Sequence, residues 1–348
     1  MLGAAAPSMA QDVSRVQVGD NQNYGITYQL PATQVMITAE ARCTQFKAGV
    51  FAQYAEKYLG LTDVPMEDAT TWTLLGTSMQ QQAVRDTART YHIIFSDKAP
   101  APTFWLSDGC LLAINREPVE PTAAEVPAAQ PAEQKTELHA TSVMNEELLK
   151  AGSRSKQAEI AARQIFRIRE SRLNLLTGDV DNLPADGASF QMVLDNLQAQ
   201  EAAYMELFTG TTTTSTQQRT FTFRPVGEGK TVLFRFSQHF GFVDADDLAG
   251  EPYYMMVTVT DDRRQVPVLL DAKGKPKPVA TGVAYTVPGK ARLELTFKGT
   301  TLTQAEWSMG QFGHVEFLSA QQFTNKKVPA SALFDAQTGE IRQLTVGN

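Results

Sequence analysis

The run Arg224-Pro-Val-Gly-Glu-Gly-Lys-Thr231 is the nearest approach in the sequence to a phosphate-binding loop. Such a loop needs G-x-x-x-x-G-K-[ST] opening into a helix, whose first amide N–H groups hold the phosphates. Arg224 stands where the first glycine belongs and Thr231 opens a strand pattern, so the segment reads as a turn between strands. The acidic turn Asp179 to Gly187 invites a calcium test. An EF-hand loop requires oxygen ligands at its first, third and fifth positions, glycine at the sixth and glutamate at the twelfth. Counted from Asp179, the last three of those places hold Leu183, Pro184 and Phe190. What remains is an irregular site with Asp179, Asp181 and Asp186 as candidate ligands, set against the plainer account in which Asp179 and Asp186 terminate and cap helices.

The four histidines, His92, His139, His239 and His314, are far apart, and none begins an HExxH-like pair. A zinc site needs three or four convergent ligands, and His92, His239 and His314 fall in predicted strands, which points to structural roles. There is no G-x-S-x-G nucleophile elbow. Cys43 and Cys110 can pair or stay as buried thiols; geometry decides, and neither has an adjacent histidine to activate it. The sequence therefore assigns no catalytic residue and no cofactor.

Elements must position whatever chemistry exists, and the central ones are helical. SKQAEIAARQIFRIRESRLNLL places Ala158, Ala161, Ile165, Ile168 and Leu176 at helical spacing. FQMVLDNLQAQEAAYMELF does the same with Phe190, Val193, Leu194, Leu197, Tyr204, Met205 and Phe208. Gly178 is placed to end the first helix, and Asp186 or Ser189 to cap the second. A helical hairpin is predicted. Glu201 interrupts the second apolar stripe, so a buried carboxylate there requires a partner. Counting back from the turn places Arg163 or Arg167 level with it, and the pair is expected to fix the helices' register. The alternative is a general acid in a cleft.

Strand patterns flank the hairpin. Val35, Ile37 and Ala39 alternate with Met36 and Thr38, further strands read at Trp72–Val84, Thr90–Phe95 and Phe104–Asn115, and Asp108-Gly109 is a hairpin signal. Residues 50–59 read as a short helix closed by Gly60. After the hairpin, Thr211–Gln218 reads as a threonine-rich connector. Phe221/Phe223, Val232/Phe234/Phe236, Tyr253/Met255/Val257/Val259, Val283/Tyr285/Val287 and Leu293/Leu295/Phe297 then mark strands, and Thr338-Gly339 a final turn. Arg116–Glu137, with four prolines, many alanines and no large apolar residue beyond valine, cannot bury enough surface to order itself. The expected fold class is α+β: a β-rich N-terminal domain with one helix (11–116), a disordered linker (117–137), a helical hairpin (138–210) and a C-terminal antiparallel β-sandwich (211–348).

A net charge of -7 argues against a nucleic-acid surface. Arg163, Arg167, Arg169 and Arg172 gather on the first helix, but Glu159 and Glu170 dilute them into a solvated or ion-paired face. No run of about twenty apolar residues exists to span a membrane. Residues 1–10 resemble the tail of a secretory signal, with Ser8-Met9-Ala10 as a cleavage site before Gln11, and export is expected.

The passages YQLPAT, FKAGVFAQYAEKYLGL, LLTGDVDNLPADG, AYMELFTG and QFGHVEFL resemble domain-of-unknown-function family 4831, exported proteins of Bacteroides-type bacteria, across essentially the whole mature chain. The resemblance implies a Gram-negative envelope setting, periplasm or cell surface, and supplies no catalytic residues. The expected function is a non-enzymatic binding or structural module for a protein, peptide or glycan of the envelope. The alternative is a hydrolase of envelope glycan or peptide polymers built from residues distant in sequence. A deep pocket with perturbed acid–base groups would favour the enzyme, and a broad apolar patch or open strand edge would favour binding.

Overall fold

The structure is a computed structural model describing residues 13–17, 25–94, 102–118, 145–179, 187–266, 275 and 282–346. The signal remnant, nearly all of the linker, His139, Asp181 and Asp186 lie outside the described residues. The chain runs β1 (Val13–Gln17), β2 (Gly25–Lys47), α1 (Ala55–Leu59), β3 (Ala69–Ile94), β4 (Thr103–Ser107) and β5 (Cys110–Ile114). The helices α2 (Glu146–Lys150), α3 (Arg154–Thr177) and α4 (Gly187–Thr209) follow. Next come β6 (Thr211–Phe223), β7 (Gly229–Ser237), β8 (Gly241–Val243), β9 (Glu251–Asp261), β10 (Gly282–Phe297) and β11 (Thr300–Ser319). A short α5 (Ala320–Phe323) precedes β12 (Ser331–Phe334) and β13 (Ile341–Thr345). The fold class is α+β, with a β-rich N-terminal part, a helical hairpin and sandwich-like C-terminal strands.

The chain divides into two compact units that interleave along the sequence. One holds the described residues within Met1–Glu40, Leu74–Ala124 and Gln218–Asn348; the other holds those within Ala41–Thr73 and Glu125–Gln217. Composition gave a consecutive layout because it registers only local signals, whereas strand pairing joins distant segments: Ala332 of β12 lies opposite Ile114 of β5.

An eight-stranded sheet runs β1-β4-β5-β12-β13 with β2, β3 and β6 joined through β2, and within the first unit a five-stranded sheet runs β11-β10-β9-β7-β8. Tyr28, Leu30, Phe104 and Ile114 from the first sheet share one core with Val283 and Ala284 from the second, and with Phe323 and Phe334. The alternation at Val35, Ile37 and Ala39 places all three out of solvent. Between β4 and β5, Asp108 (φ 46) and Gly109 (φ 75) both adopt the left-handed conformation that a two-residue hairpin turn demands. Phe221, Phe234, Tyr253 and Phe297 stack at centroid spacings of 4.5, 4.7 and 4.3 Å, with Arg219 over one end and Lys298 over the other. The segment Arg224–Thr231 is the β6–β7 turn and the start of β7, not the mouth of a helix.

In the second unit, Phe51 and Ala55 from the α1 region pack with Ala158, Ala161 and Ile165 of α3 and with Leu207 and Phe208 of α4. The side chains of Asn145 and Ser153 cap α2 and α3, and Gly178 (φ 76) closes α3. One expectation is overturned: Thr211–Gln218 is not a connector but the first half of β6, paired with β2. A polar run with no apolar alternation gives no burial signal, yet β-branched threonine favours extended backbone once a neighbouring strand supplies the ladder.

Candidate interaction surface

One carboxylate bridges the two helices of the hairpin. Glu201 Oε1 accepts from Arg169 Nε at 2.6 Å, and Oε2 accepts from Arg172 Nη1 at 2.9 Å. The Glu201 side chain is 12% exposed against 43% and 38% for the arginines. The expected partners, Arg163 and Arg167, are not the ones used. Arg163 pairs with Glu159 on its own helix at 3.0 Å, and Arg167 is exposed. The reason is stagger. Arg169 lies about two turns before the end of α3, whereas Glu201 lies about four turns into α4, so the first turns of α4 run past the end of α3. Equal counting from the turn overshoots by the length of that overhang.

Several apolar side chains of the two helices nevertheless stay exposed. Toward its C-terminal end the apolar set of α4 is covered, with Tyr204, Leu207 and Phe208 buried. At the other end of the helix Met192 and Val193 are exposed, and on α3 Phe166, Leu173 and Leu176 are 51%, 59% and 60% exposed. Arg169 joins this surface to the clamp: its guanidinium lies 5.9 Å from the Phe166 ring centroid and 3.8 Å from Met205 Sδ. Sequence spacing marked Val193 and Leu176 as core, because a periodic stripe does not say what covers it.

Glu201→Gln keeps the shape but removes the charge from both hydrogen bonds. We expect it to lower stability by about 1 kcal/mol, since the arginines keep much of their hydration. Urea denaturation of Glu201→Gln, Arg169→Met and the double variant should return a coupling between the two sites; strict additivity would show that the clamp contributes nothing.

The titratable groups elsewhere form structural networks. His314 Nδ1 donates to the Arg263 carbonyl at 2.7 Å, and its Nε2 lies 3.2 Å from Glu316, whose other oxygen accepts from Tyr285 at 2.5 Å. The hydrogen bond from Tyr285, against the effect of burial and with help from His314, lowers the Glu316 carboxyl, while burial and Glu316 push the Tyr285 phenol up. Both shifts run away from neutrality, which suits a fixed network better than proton transfer. Asp86 receives Arg89 Nε at 2.8 Å and faces Arg224; burial opposes its ionisation, but these partners hold it below the usual carboxylate range. Arg89 also donates to the carbonyls of Pro31 and Gly310 and so ties both sheets together.

Cys43 and Cys110 are buried free thiols. Burial, aided by Asp108, pushes the Cys110 thiol up to about 11, so it carries little thiolate. Asp179 follows the end of α3 and its N–H donates to Asn174 O, which is the helix-terminating role. Among the described residues no group of three His, Cys, Asp or Glu side chains is placed to hold a metal ion. His92 and His314 lie in β3 and β11, and His239 in the β7–β8 turn. No described helix is long and apolar enough to cross a membrane.

Two layered sheets with a helical hairpin define the class, an α+β protein built mainly of strands. The family model "Domain of unknown function (DUF4831)" matches residues 24–342, and the chain belongs to that family. No curated protein and no solved structure matches the chain.

Proposed function

We propose that the protein is an exported, non-enzymatic binding module of the bacterial envelope, and that the end of its helical hairpin receives a partner protein. The observation that carries this reading is the apolar surface of Phe166, Leu173 and Leu176 on α3 with Val193 on α4, exposed where a stable helix pair ordinarily buries such residues. Arginines beside it suit a protein partner, because apolar anchors ringed by arginine are the usual make-up of an interface centre. Export is supported by the small apolar residues leading to Ser8-Met9-Ala10.

A photo-activated crosslinker in place of Val193, in protein expressed in its native host, should capture an envelope protein. Leu173→Asp with Leu176→Asp should abolish that capture while leaving the thermal midpoint within about 2 °C, because both side chains are already in water. Capture that survives both substitutions would reject the hairpin as the docking surface. Protein found in the cytosol with residues 1–10 intact would reject export.

A further inference from the structure

We infer that the outer edge of β6 is a self-complementary docking strand, through which two copies of the chain pair antiparallel across a two-fold axis at Thr214. Among the described residues β6 pairs with β2 alone, and Thr211–Gln218 makes no other backbone hydrogen bond. Residues 212–218 are all exposed. An unpaired edge of this length is a template for another strand, and proteins ordinarily blunt such edges with lysine, proline, a bulge or a covering loop. Thr211-Thr-Thr-Thr-Ser-Thr-Gln-Gln218 contains no charge, no proline and no glycine, and β-branched threonine keeps it extended. The edge is built to be paired.

The occupant that fits it is a second copy. Antiparallel pairing about Thr214 sets Thr214 opposite itself, Thr212 opposite Thr216 and Thr213 opposite Ser215. From Thr212 to Thr216 every cross-strand neighbour is then a hydroxyl that both donates and accepts, the kind of pair that stabilises a sheet, and Thr211 meets the Gln217 amide. The chain carries a net charge of -7, so two copies repel over most of their surface. This neutral strip opposes no like charges. The β3 edge is also uncharged from Ala69 to Val84, but Gly76 interrupts it. Pairing β6 with β3 of another copy would moreover be head-to-tail, giving a ring or a filament, whereas β6 against β6 closes as a dimer. With about seven residues of ladder and no broad apolar surface required, the interface is at the small end, with a dissociation constant on the order of micromolar. This inference does not depend on the hairpin reading, since it concerns another surface and another partner.

Sedimentation of the intact chain should show a monomer–dimer equilibrium. Thr214→Lys puts two ammonium groups face to face at the axis and should weaken dimerisation at least tenfold, with an unchanged circular dichroism spectrum and thermal midpoint. Thr214→Cys, mildly oxidised, should give a disulfide-linked dimer that the wild type, with its two buried thiols, does not give. A wild type that stays monomeric at 100 μM, assemblies larger than a dimer, a dimer indifferent to Thr214→Lys, or no crosslink from Thr214→Cys would each overturn the proposal.

Discussion

Gly289→Ala is expected to lower the unfolding free energy by more than about 3 kcal/mol, or to prevent folding outright. Gly289 sits in β10 beside a register break, after which β10 pairs with β11 three residues out of step. A Cβ at that position would lie 2.2 Å from the Phe312 carbonyl oxygen and 2.4 Å from that of Asp261. Both obstacles are backbone, so no rotamer change relieves them. Neither carbonyl can retreat cheaply. Phe312 O accepts from Arg263 N at 2.9 Å and its side chain is wholly buried, while β10 is held between β9 and β11. The neighbouring Pro288 brings no N–H to a rearranged ladder. Gly313 repeats the arrangement from the facing strand, where a Cβ would meet Val287 O at 2.0 Å. Gly76→Ala is the matched control. It lies in a strand with nothing within 4 Å of its Cβ, and alanine there should be neutral or stabilising by about 0.5 kcal/mol through the unfolded state. Urea titration of the three proteins measures both effects. Equal stability of Gly289→Ala and Gly76→Ala would mean that the bulge is not under steric constraint.

The contrast between these glycines marks how far the sequence could be read. Glycines that end or turn a local element were legible: Gly60, Gly109, Gly178 and Gly339 were each placed at a helix end or turn, and each has a positive φ. Gly289 and Gly313 were silent, because what demands them is a strand remote in sequence. The alternation of Val35, Ile37 and Ala39 announced a buried face, since one-sided burial writes a period of two into the residues. Thr211–Gln218 announced nothing, because both of its faces and its outer edge meet water. The hairpin shows the same division. Its two helices and the Gly178 stop followed from spacing and capping, and the need of Glu201 for a cationic partner followed from burial. Which arginine it takes depended on an overhang at the turn that no local count contains. The network around Glu316 joins three elements and that around Asp86 joins four, and nothing in the spacing of their members forecast them.

Tyr28→Phe should cost about 3 kcal/mol, which is large for the loss of a single oxygen. Tyr28 belongs to β2 in one sheet and is 1% exposed. Its hydroxyl donates to Ala284 O at 2.9 Å and accepts from Ala284 N at 2.6 Å, in β10 of the other sheet. The ladder between β9 and β10 spans Lys290 to Thr296 of β10 and stops short of Ala284. Ala284 lies opposite Phe317 of β11 on one side, but on the β9 side its N–H and C=O have no strand to receive them, and one phenol from the opposing layer satisfies both. Ala284 is itself 1% exposed, so water does not reach these groups once the hydroxyl is gone. Each buried backbone group left unpaired costs about 1–3 kcal/mol, and here two are orphaned together. Tyr91→Phe is the control, because the Tyr91 ring packs edge-on against Phe317 and its change should cost less than about 0.5 kcal/mol. A pH signature reports the burial of the phenol, which the Ala284 hydrogen bond opposes. Burial holds the Tyr28 phenol well above its ordinary range. The folded state thus favours the protonated phenol, and its contribution is complete below about pH 10, the value for an unperturbed tyrosine. As pH rises beyond that, the unfolded chain ionises while the folded one does not, and the contribution declines. The stability gap between wild type and Tyr28→Phe should therefore be constant from pH 6 to 9 and narrow above pH 10. A gap below about 1 kcal/mol at pH 7 would show that the Ala284 groups find other partners, and one that does not narrow in alkali would show that burial does not hold the phenol protonated.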